Sequence, residues 1–325
     1  MHCKPWINTD FNIKIRLICE NLCNPWIFPF YNVTRYDGSY RSDLRRLRKT
    51  LFSDLLSFRA FASLRDSNII KSMKHQIKMI VTDLDGTLLR SDKTISENTL
   101  EVLNRCRKSG IKVVYATGRG GSAEQKAPAE CFDARISMNG AIARIGNDIV
   151  YSRLISYKTA RPLLVACDKR GLKITSEISG MHYSNFDVSA EWPDITNFEI
   201  VFFTKHSKDA EKIYSVGLTP EDVDFVKQHL PCDLHMVMAR DNFLQIMHRD
   251  ATKSKAASEL ARIWKIPHSQ IAAFGDDLND IDMLKSAGLS VAMENALDEV
   301  KAAADYICKS NDHDGLAEWI THNIF

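Results

Sequence analysis

The stretch Ile80-Val81-Thr82-Asp83-Leu84-Asp85-Gly86-Thr87-Leu88-Leu89 decides how the chain is read. The apolar run Met79–Val81 has the character of a buried parallel strand. It ends in two carboxylates one residue apart, followed by Gly-Thr. Open α/β sheets bind ligands beyond the carboxyl ends of their strands, so an Asp-x-Asp at such an end marks a site. Strand alternation points Asp83 and Asp85 the same way, and two close acids need a cation or a shared proton between them. An isolated Asp-x-Asp-Gly is more simply a turn-capping pair. Three further segments downstream fit the same chemistry and set that simpler reading aside.

The 325 residues allow one or two domains with a sizeable core. With 45% hydrophobic and 26% charged residues, the composition is that of an ordinary globular protein. A net charge of +2 gives no support to a nucleic-acid partner, and no apolar run is long enough to span a membrane. Eight scattered cysteines without a Cys-x-x-Cys pair read as reduced thiols of a cytoplasmic protein.

Charge divides the chain. Residues 1–72 carry +6 and the remainder −4. Leu44, Leu47, Leu51, Leu55, Phe58 and Ala62 form a helical stripe with basic residues mostly off it. Three readings of this extension stand: a membrane-surface or targeting helix, a packed or disordered tail, and a start placed too far upstream of Met73. The last is preferred, because a compact α/β pattern begins at Met73.

From there strand and helix alternate. A strand at 77–83 carries the Asp pair. Ser96 caps a helix ending at Gly110, Lys112–Ala116 is a second strand ending in Thr117-Gly118-Arg119, and Ala134–Ser137 is a third. Between 154 and 240 the rhythm changes to short strands and helices, which reads as an inserted α+β unit. The parent rhythm resumes at 241, with a strand-like Phe243–Met247. A helix follows from Lys253. Gln270–Phe274 is a buried strand ending in Gly275-Asp276-Asp277-Leu278-Asn279-Asp280. The expectation is a Rossmann-like doubly wound parallel sheet built from 73–153 and 241–325, interrupted by an insert at 154–240.

Such a sheet gathers Asp83, Asp85, Thr117 and Asp276 at one edge. Three carboxylates and a hydroxyl form an oxygen-only pocket, which suits a hard cation, Mg²⁺ above all. Asp276, Asn279 and Asp280 can also serve as helix caps. Lys253, opening a helix, can reach an anion; Lys255 competes for that role.

These segments together resemble the four motifs of the haloacid dehalogenase superfamily. The match is closest to its Cof-type phosphatases, which carry a cap of the C2B type. Asn139-Gly140-Ala141, Val291-Ala292-Met293-x-Asn295-Ala296 and Ser310-Asn311-x-x-x-Gly315 stand in that subfamily's order, the last with one residue more than expected. Ser254 replaces the usual glycine after the motif lysine, and spacing to Asp276 favours Lys253 over Lys255. The resemblance runs from Met73 to Phe325.

What the resemblance implies is a phosphatase for small phosphomonoesters, sugar phosphates or phosphorylated cofactors. Asp83 would be the nucleophile that forms an aspartyl-phosphate, and Asp85 the acid and base. Mg²⁺ would lie on the Asp83 side chain, the Asp85 carbonyl and Asp276, with Asp280 orienting the metal shell. Thr117, Lys253, Asn279 and the N–H groups of Leu84 and Gly118 would hold the phosphoryl group. The insert would act as a cap that reads the leaving group, with His182, Tyr183, Glu191 and Trp192 as candidate contacts, packing being the simpler role for each. Two rivals stand behind this reading. A phosphohexomutase needs a basic cluster in the cap, where Lys169-Arg170, Lys205 and Lys208 stand but form no tight arginine cluster. A non-catalytic binding protein would have no need of both Asp85 and Lys253. The oligomeric state, monomer or dimer, is left open.

Overall fold

The computed structural model describes residues 77–123, 126–239 and 243–325. The helical stripe between Leu44 and Ala62 lies outside them. The strand β1 (Met79–Thr82) is buried along its length, as its unbroken apolar run requires. It lies at the centre of an eight-stranded sheet, between β2 (Lys112–Ala116) and β12 (Ile271–Gly275), parallel to both. On one side the sheet continues through β3 (Ala134–Ser137), β4 (Ile142–Ile145) and β5 (Asp148–Ser152). On the other side come β13 (Leu289–Met293) and β14 (Tyr306–Cys308). Chain order therefore runs outward from β1 in both directions. The switch point falls between β1 and β12, where a doubly wound sheet opens a crevice.

The six strands from β14 to β3 are parallel, whereas β4 and β5 form an antiparallel hairpin on the edge. Helix α1 (Glu97–Lys108) is capped by Ser96, whose hydroxyl accepts from Thr99 N–H.

A second sheet has six strands in the order β10-β11-β9-β6-β7-β8. These are β6 (Lys173–Ile178), β7 (Met181–Ser184), β8 (Phe198–Ile200), β9 (Lys212–Val216), β10 (Leu234–Ala239) and β11 (Phe243–His248). All neighbours are antiparallel except β7 and β8. The segment Phe243–His248, expected to return to the parent sheet, instead pairs with β10 and β9. Its alternation explains this: Leu244 and Ile246 join a cluster with Leu163, Ile174, Ile213 and Val226, beneath the helices α2 (Tyr157–Lys169) and α3 (Pro220–Gln228). The boundary expected at 240/241 thus falls inside a hairpin of the smaller sheet.

The opposite face of that sheet carries Glu177, Lys212 and Gln245 beside Tyr214, Phe243 and Met247, and meets the larger sheet's edge through Gln245 and Met247. Where the chain leaves and re-enters the larger sheet, the Tyr151 hydroxyl donates to the Asp250 carbonyl at 2.9 Å. Met138, Ala141, Ile142, Met247 and Ala251 pack as a small cluster of their own. Helix α4 (Lys253–Trp264), which begins three residues after Asp250, packs on α5 (Ile281–Ser286) and leads to β12. The chain closes through α6 (Asp298–Ala303) and α7 (Gly315–Asn323), and α7 packs on α1.

Candidate active site

The carboxyl ends of β1 and β12 meet directly: Asp83 N–H donates to Phe274 O at 3.0 Å. One carboxylate oxygen from each of Asp83, Asp276 and Asp280 lies within 4.8 Å of the others, and all three residues are buried. Lys253, 1% exposed, donates from Nζ to Asp83 Oδ1 at 2.5 Å and to Asp280 Oδ1 at 2.7 Å. Burial pulls the proton affinity of this ammonium down, but Asp280 and Asp83 more than offset it, so Lys253 stays charged. Lys255, its competitor in the sequence, is exposed and pairs with Asp250 at the surface.

Asp280 is wholly buried and fully used. Its Oδ2 accepts the N–H groups of Asp276 and Asp277, both at 3.1 Å, while Oδ1 takes Lys253. It is the buttress that aligns both Lys253 and the Asp276 loop. Asp276 accepts from the Thr87 hydroxyl at 2.8 Å. Burial raises the Asp276 carboxyl to about 6, with Asp280 adding to the rise. Burial likewise holds Asp83 well above the usual range, although Lys253 pulls it back. Three crowded, buried carboxylates with one ammonium have a deficit of positive charge. Their oxygen-only donor set fits a hard divalent cation such as Mg²⁺.

The turn after β1 is shaped around this pocket. Gly86 has φ +83°, and a Cβ there would strike the Asp276 carboxylate, so only glycine serves. The Gly86 carbonyl is held by Asn295 Nδ2 at 2.7 Å, Asn295 Oδ1 takes Asn311 N–H, and Asn311 Nδ2 reaches the Leu89 carbonyl at 2.9 Å. The two asparagine segments singled out in the sequence therefore staple the β1 turn.

Asp85 stands apart from the acidic trio. Regular strand ends at Thr82, so the alternation expected to align Asp83 and Asp85 does not extend to them. Each carboxylate has its own cations. Arg119 donates to both Asp85 oxygens, at 2.5 and 2.6 Å, and Lys93 adds a third bond at 2.9 Å. Burial pushes the Asp85 carboxyl up, but the bonds from Arg119 and Lys93 outweigh it and hold the group at about 2. This clamp was not evident in the sequence. Arg119 is part of the Thr-Gly-Arg motif, but nothing local ties Lys93 to Asp85.

Thr117 is buried at the end of β2, its hydroxyl accepting Arg119 N–H at 3.1 Å. Leu84 is buried beneath the turn, and the Gly118 Cα faces Asn139 so closely that a Cβ would sit 2.9 Å from its Oδ1. Asn279, at the mouth of the pocket, donates to Asn139 Oδ1 at 2.8 Å. Asn139 Nδ2 reaches across to Gln245 Oε1 of β11 at 3.1 Å. Of the candidate contacts in the insert, His182 and Trp192 line a cavity of about 970 Å³ that opens beside Arg119. Glu191 pairs with Lys173 outside that cavity, and Tyr183 stacks on His206.

The sequence profile of the haloacid dehalogenase-like hydrolases matches residues 80–320, and the chain belongs to that family, in its Cof-type branch. It is a phosphatase. It is 30% identical over 251 residues to a putative phosphatase of Haemophilus influenzae, covering 74% of this chain and 95% of that one. It is also 30% identical over 271 residues to the 5-amino-6-(5-phospho-D-ribitylamino)uracil phosphatase YitU of Bacillus subtilis, covering 74% and 96%. Among solved structures, a subclass IIB sugar phosphatase of the superfamily superposes with a TM-score of 0.66 at 27% identity, over 75% of this chain and 98% of that one. Among the described residues no helix is long and apolar enough to cross a membrane.

Proposed function

We propose that the protein hydrolyses small phosphomonoesters with Mg²⁺ as cofactor and an aspartyl-phosphate as intermediate. The observation that carries this reading is the placement of Asp83 at the switch point of the sheet, bonded to Lys253 and crowded by Asp276. The Asp83 carboxylate attacks phosphorus, and the ester oxygen leaves with a proton from Asp85. Water then attacks the aspartyl-phosphate as Asp85 takes a proton from it, which frees Asp83 and phosphate. Lys253, Thr117, Asn279 and the N–H groups of Leu84 and Gly118 hold the phosphoryl oxygens. Asp83, the Asp85 carbonyl and Asp276 would hold Mg²⁺, which when bound supplies positive charge against the incoming phosphate.

Asp85 must exchange its partners to do this. Clamped by Arg119 and Lys93 it is a carboxylate with little affinity for a proton. A phosphate dianion competes for Arg119, and loosening that pair raises the proton affinity of Asp85 at the moment an acid is needed.

We read the smaller sheet with its helices, residues 154–248, as a cap that excludes water and contacts the leaving group. The relatives point to two classes of ester, sugar phosphates and the phosphorylated ribitylaminouracil. The buried free thiols Cys106, Cys131, Cys167 and Cys308 suit a reducing cytoplasm. The test is a panel of phosphate esters assayed with Mg²⁺ and with EDTA, followed by acid quench and intact-mass measurement. Hydrolysis with Mg²⁺ alone, and an added phosphoryl mass lost in Asp83→Asn, are expected. Turnover by Asp83→Asn would sink the assignment.

A further inference from the structure

The inner face of the smaller sheet carries a row of charge that the chemistry at Asp83 does not use. Glu177 of β6 lies directly across from Lys212 of β9 on one side and from His182 of β7 on the other. Their side chains are 8–10% exposed. The Glu177 carboxylate is 3.6 Å from Lys212 Nζ and 3.9 Å from His182 Nε2. Both distances exceed those of a good N–H···O bond. Among the described residues, neither the Glu177 carboxylate nor the Lys212 ammonium makes a hydrogen bond. Each is thus held close to a charge partner with its directional bonds unspent among the described residues. A buried ion pair of this kind adds little stability over apolar side chains of similar size. Holding three strands in register does not require it.

The row has aromatic walls. Trp192, Tyr214 and Phe243 form a three-ring corner with centroids 5.1–5.6 Å apart. Lys212 Nζ stands 5.6 Å from the Tyr214 centroid and 5.9 Å from that of Phe243. The Tyr214 hydroxyl is 2.7 Å from His182 Nδ1, which fixes the imidazole. All six residues line the cavity of about 970 Å³, as does Arg119, the clamp on Asp85. Arg119 thus links the cavity that holds the charged row to the reacting centre. Gly120 abuts the row: a Cβ there would sit 3.0 Å from Glu177 Oε1.

We infer that this face binds the leaving group, and that it is built for a planar nitrogen ring presenting an N–H beside a C=O, a lactam or imide edge. The inference rests on the phosphatase reading and deepens it. Glu177 only accepts and Lys212 only donates, and they stand side by side. A sugar hydroxyl both donates and accepts and is satisfied by either alone. A lactam edge has a fixed donor next to a fixed acceptor and needs both. The flat faces of Trp192 and Phe243 suit a ring, and stacking on them adds affinity beyond buried area.

Two matched pairs of esters test this. Uridine 5′-phosphate is compared with ribose 5-phosphate, and riboflavin 5′-phosphate with ribitol 5-phosphate, each pair differing by the ring. The ring esters should have about tenfold higher kcat/KM, the scale of one net hydrogen bond. Methylation of the uracil N3 removes the donor and should erase that advantage without any change to the protein. Glu177→Gln and Lys212→Met should each cut the ring-to-chain ratio about tenfold or more. Equal rates for ring and chain esters, or a ratio unmoved by N3 methylation, overturn the inference. Calorimetric binding of riboflavin and uridine, weakened in Glu177→Gln, decides the subsite independently of turnover: binding so weakened supports it, and no binding to the unaltered protein overturns it. Failure to hydrolyse even acetyl phosphate with Mg²⁺ would remove the phosphatase reading, while the calorimetric result would still decide whether the ring binds.

Discussion

The two sheets hold their buried charge in different places. In the eight-stranded sheet it sits at strand ends and in the loops just beyond, where Asp83, Asp276, Asp280 and Lys253 meet, while the central strands β1, β12 and β13 carry no charged residue. In the six-stranded sheet it lies along a face, with Glu177, His182 and Lys212 crossing three strands. Parallel strands covered on both faces can expose functional groups only beyond their ends. An antiparallel sheet covered on one face can use every second residue of the other. Strand ends converge on a point and suit a reacting atom. A face offers an area and suits recognition of a surface.

Substitution at the convergent point should have the largest effect. Asp83→Asn should reduce turnover of every ester by on the order of 10⁵–10⁶, the scale of a lost covalent nucleophile, whereas Tyr214→Phe should alter only the ranking of esters. Steady-state rates across the panel check this, and a uniform loss in Tyr214→Phe would erase the distinction. Next is Lys253→Met, which leaves Asp83 and Asp280 buried against each other without their cation. Breaking a buried pair in this way costs about 3–5 kcal/mol, to be read from denaturant melts. A stability within about 1 kcal/mol of the unaltered protein would mean that the trio is compensated elsewhere.

Acid should act on the two sheets with opposite sign in the metal-free protein. Burial raises Asp83 and Asp276, the latter to about 6. The folded state then binds the extra protons, so stability is recovered as the pH falls through about 6 toward the ordinary carboxyl range near 4. Burial lowers His182, His206 and His235, all in the smaller sheet or beside it. There the unfolded chain binds protons first, so stability present above about 7 is lost as the pH falls through roughly 6.5. Hydrogen exchange at pH 5.5 against pH 7.5 should show protection falling in β6, β7 and β10 while β1 and β12 hold or gain. Loss in β1 first would reverse the assignment. The smallest effect is expected at Gly120→Ala. The added methyl meets the flexible ends of Met138 and Glu177, so a few-fold loss of kcat/KM with an unchanged melting temperature is expected.

Most of the convergent point was legible in the sequence, because each of its parts is a local signal. An apolar run ending in Asp-x-Asp-Gly and a second ending in Gly-Asp-Asp lie within a few residues of the strands that carry them. Even Lys253 could be chosen over Lys255 by spacing, and the structure buries one and exposes the other. The face was not legible. Glu177, His182 and Lys212 meet only through the register of β6, β7 and β9, and no periodicity within one strand encodes which strand lies beside it. Phe243–His248 shows a related limit: its alternation fits a sheet covered on one face, but nothing within it names β10 and β9 as its neighbours. The clamp of Arg119 and Lys93 on Asp85 joins a strand end to a turn, again by tertiary approach.

The bond from Tyr151 to the Asp250 carbonyl joins residues 99 apart, at the point where the chain leaves and re-enters the larger sheet. The entropy of closing a flexible loop grows only with the logarithm of its length. Closing 99 unfolded residues costs about 2 kcal/mol more than closing a ten-residue turn. The larger sheet can therefore assemble around β1 and β12 before the smaller one is ordered. By the same arithmetic, the length of the segment between those two anchor points can change at little entropic cost to the nucleophile's setting.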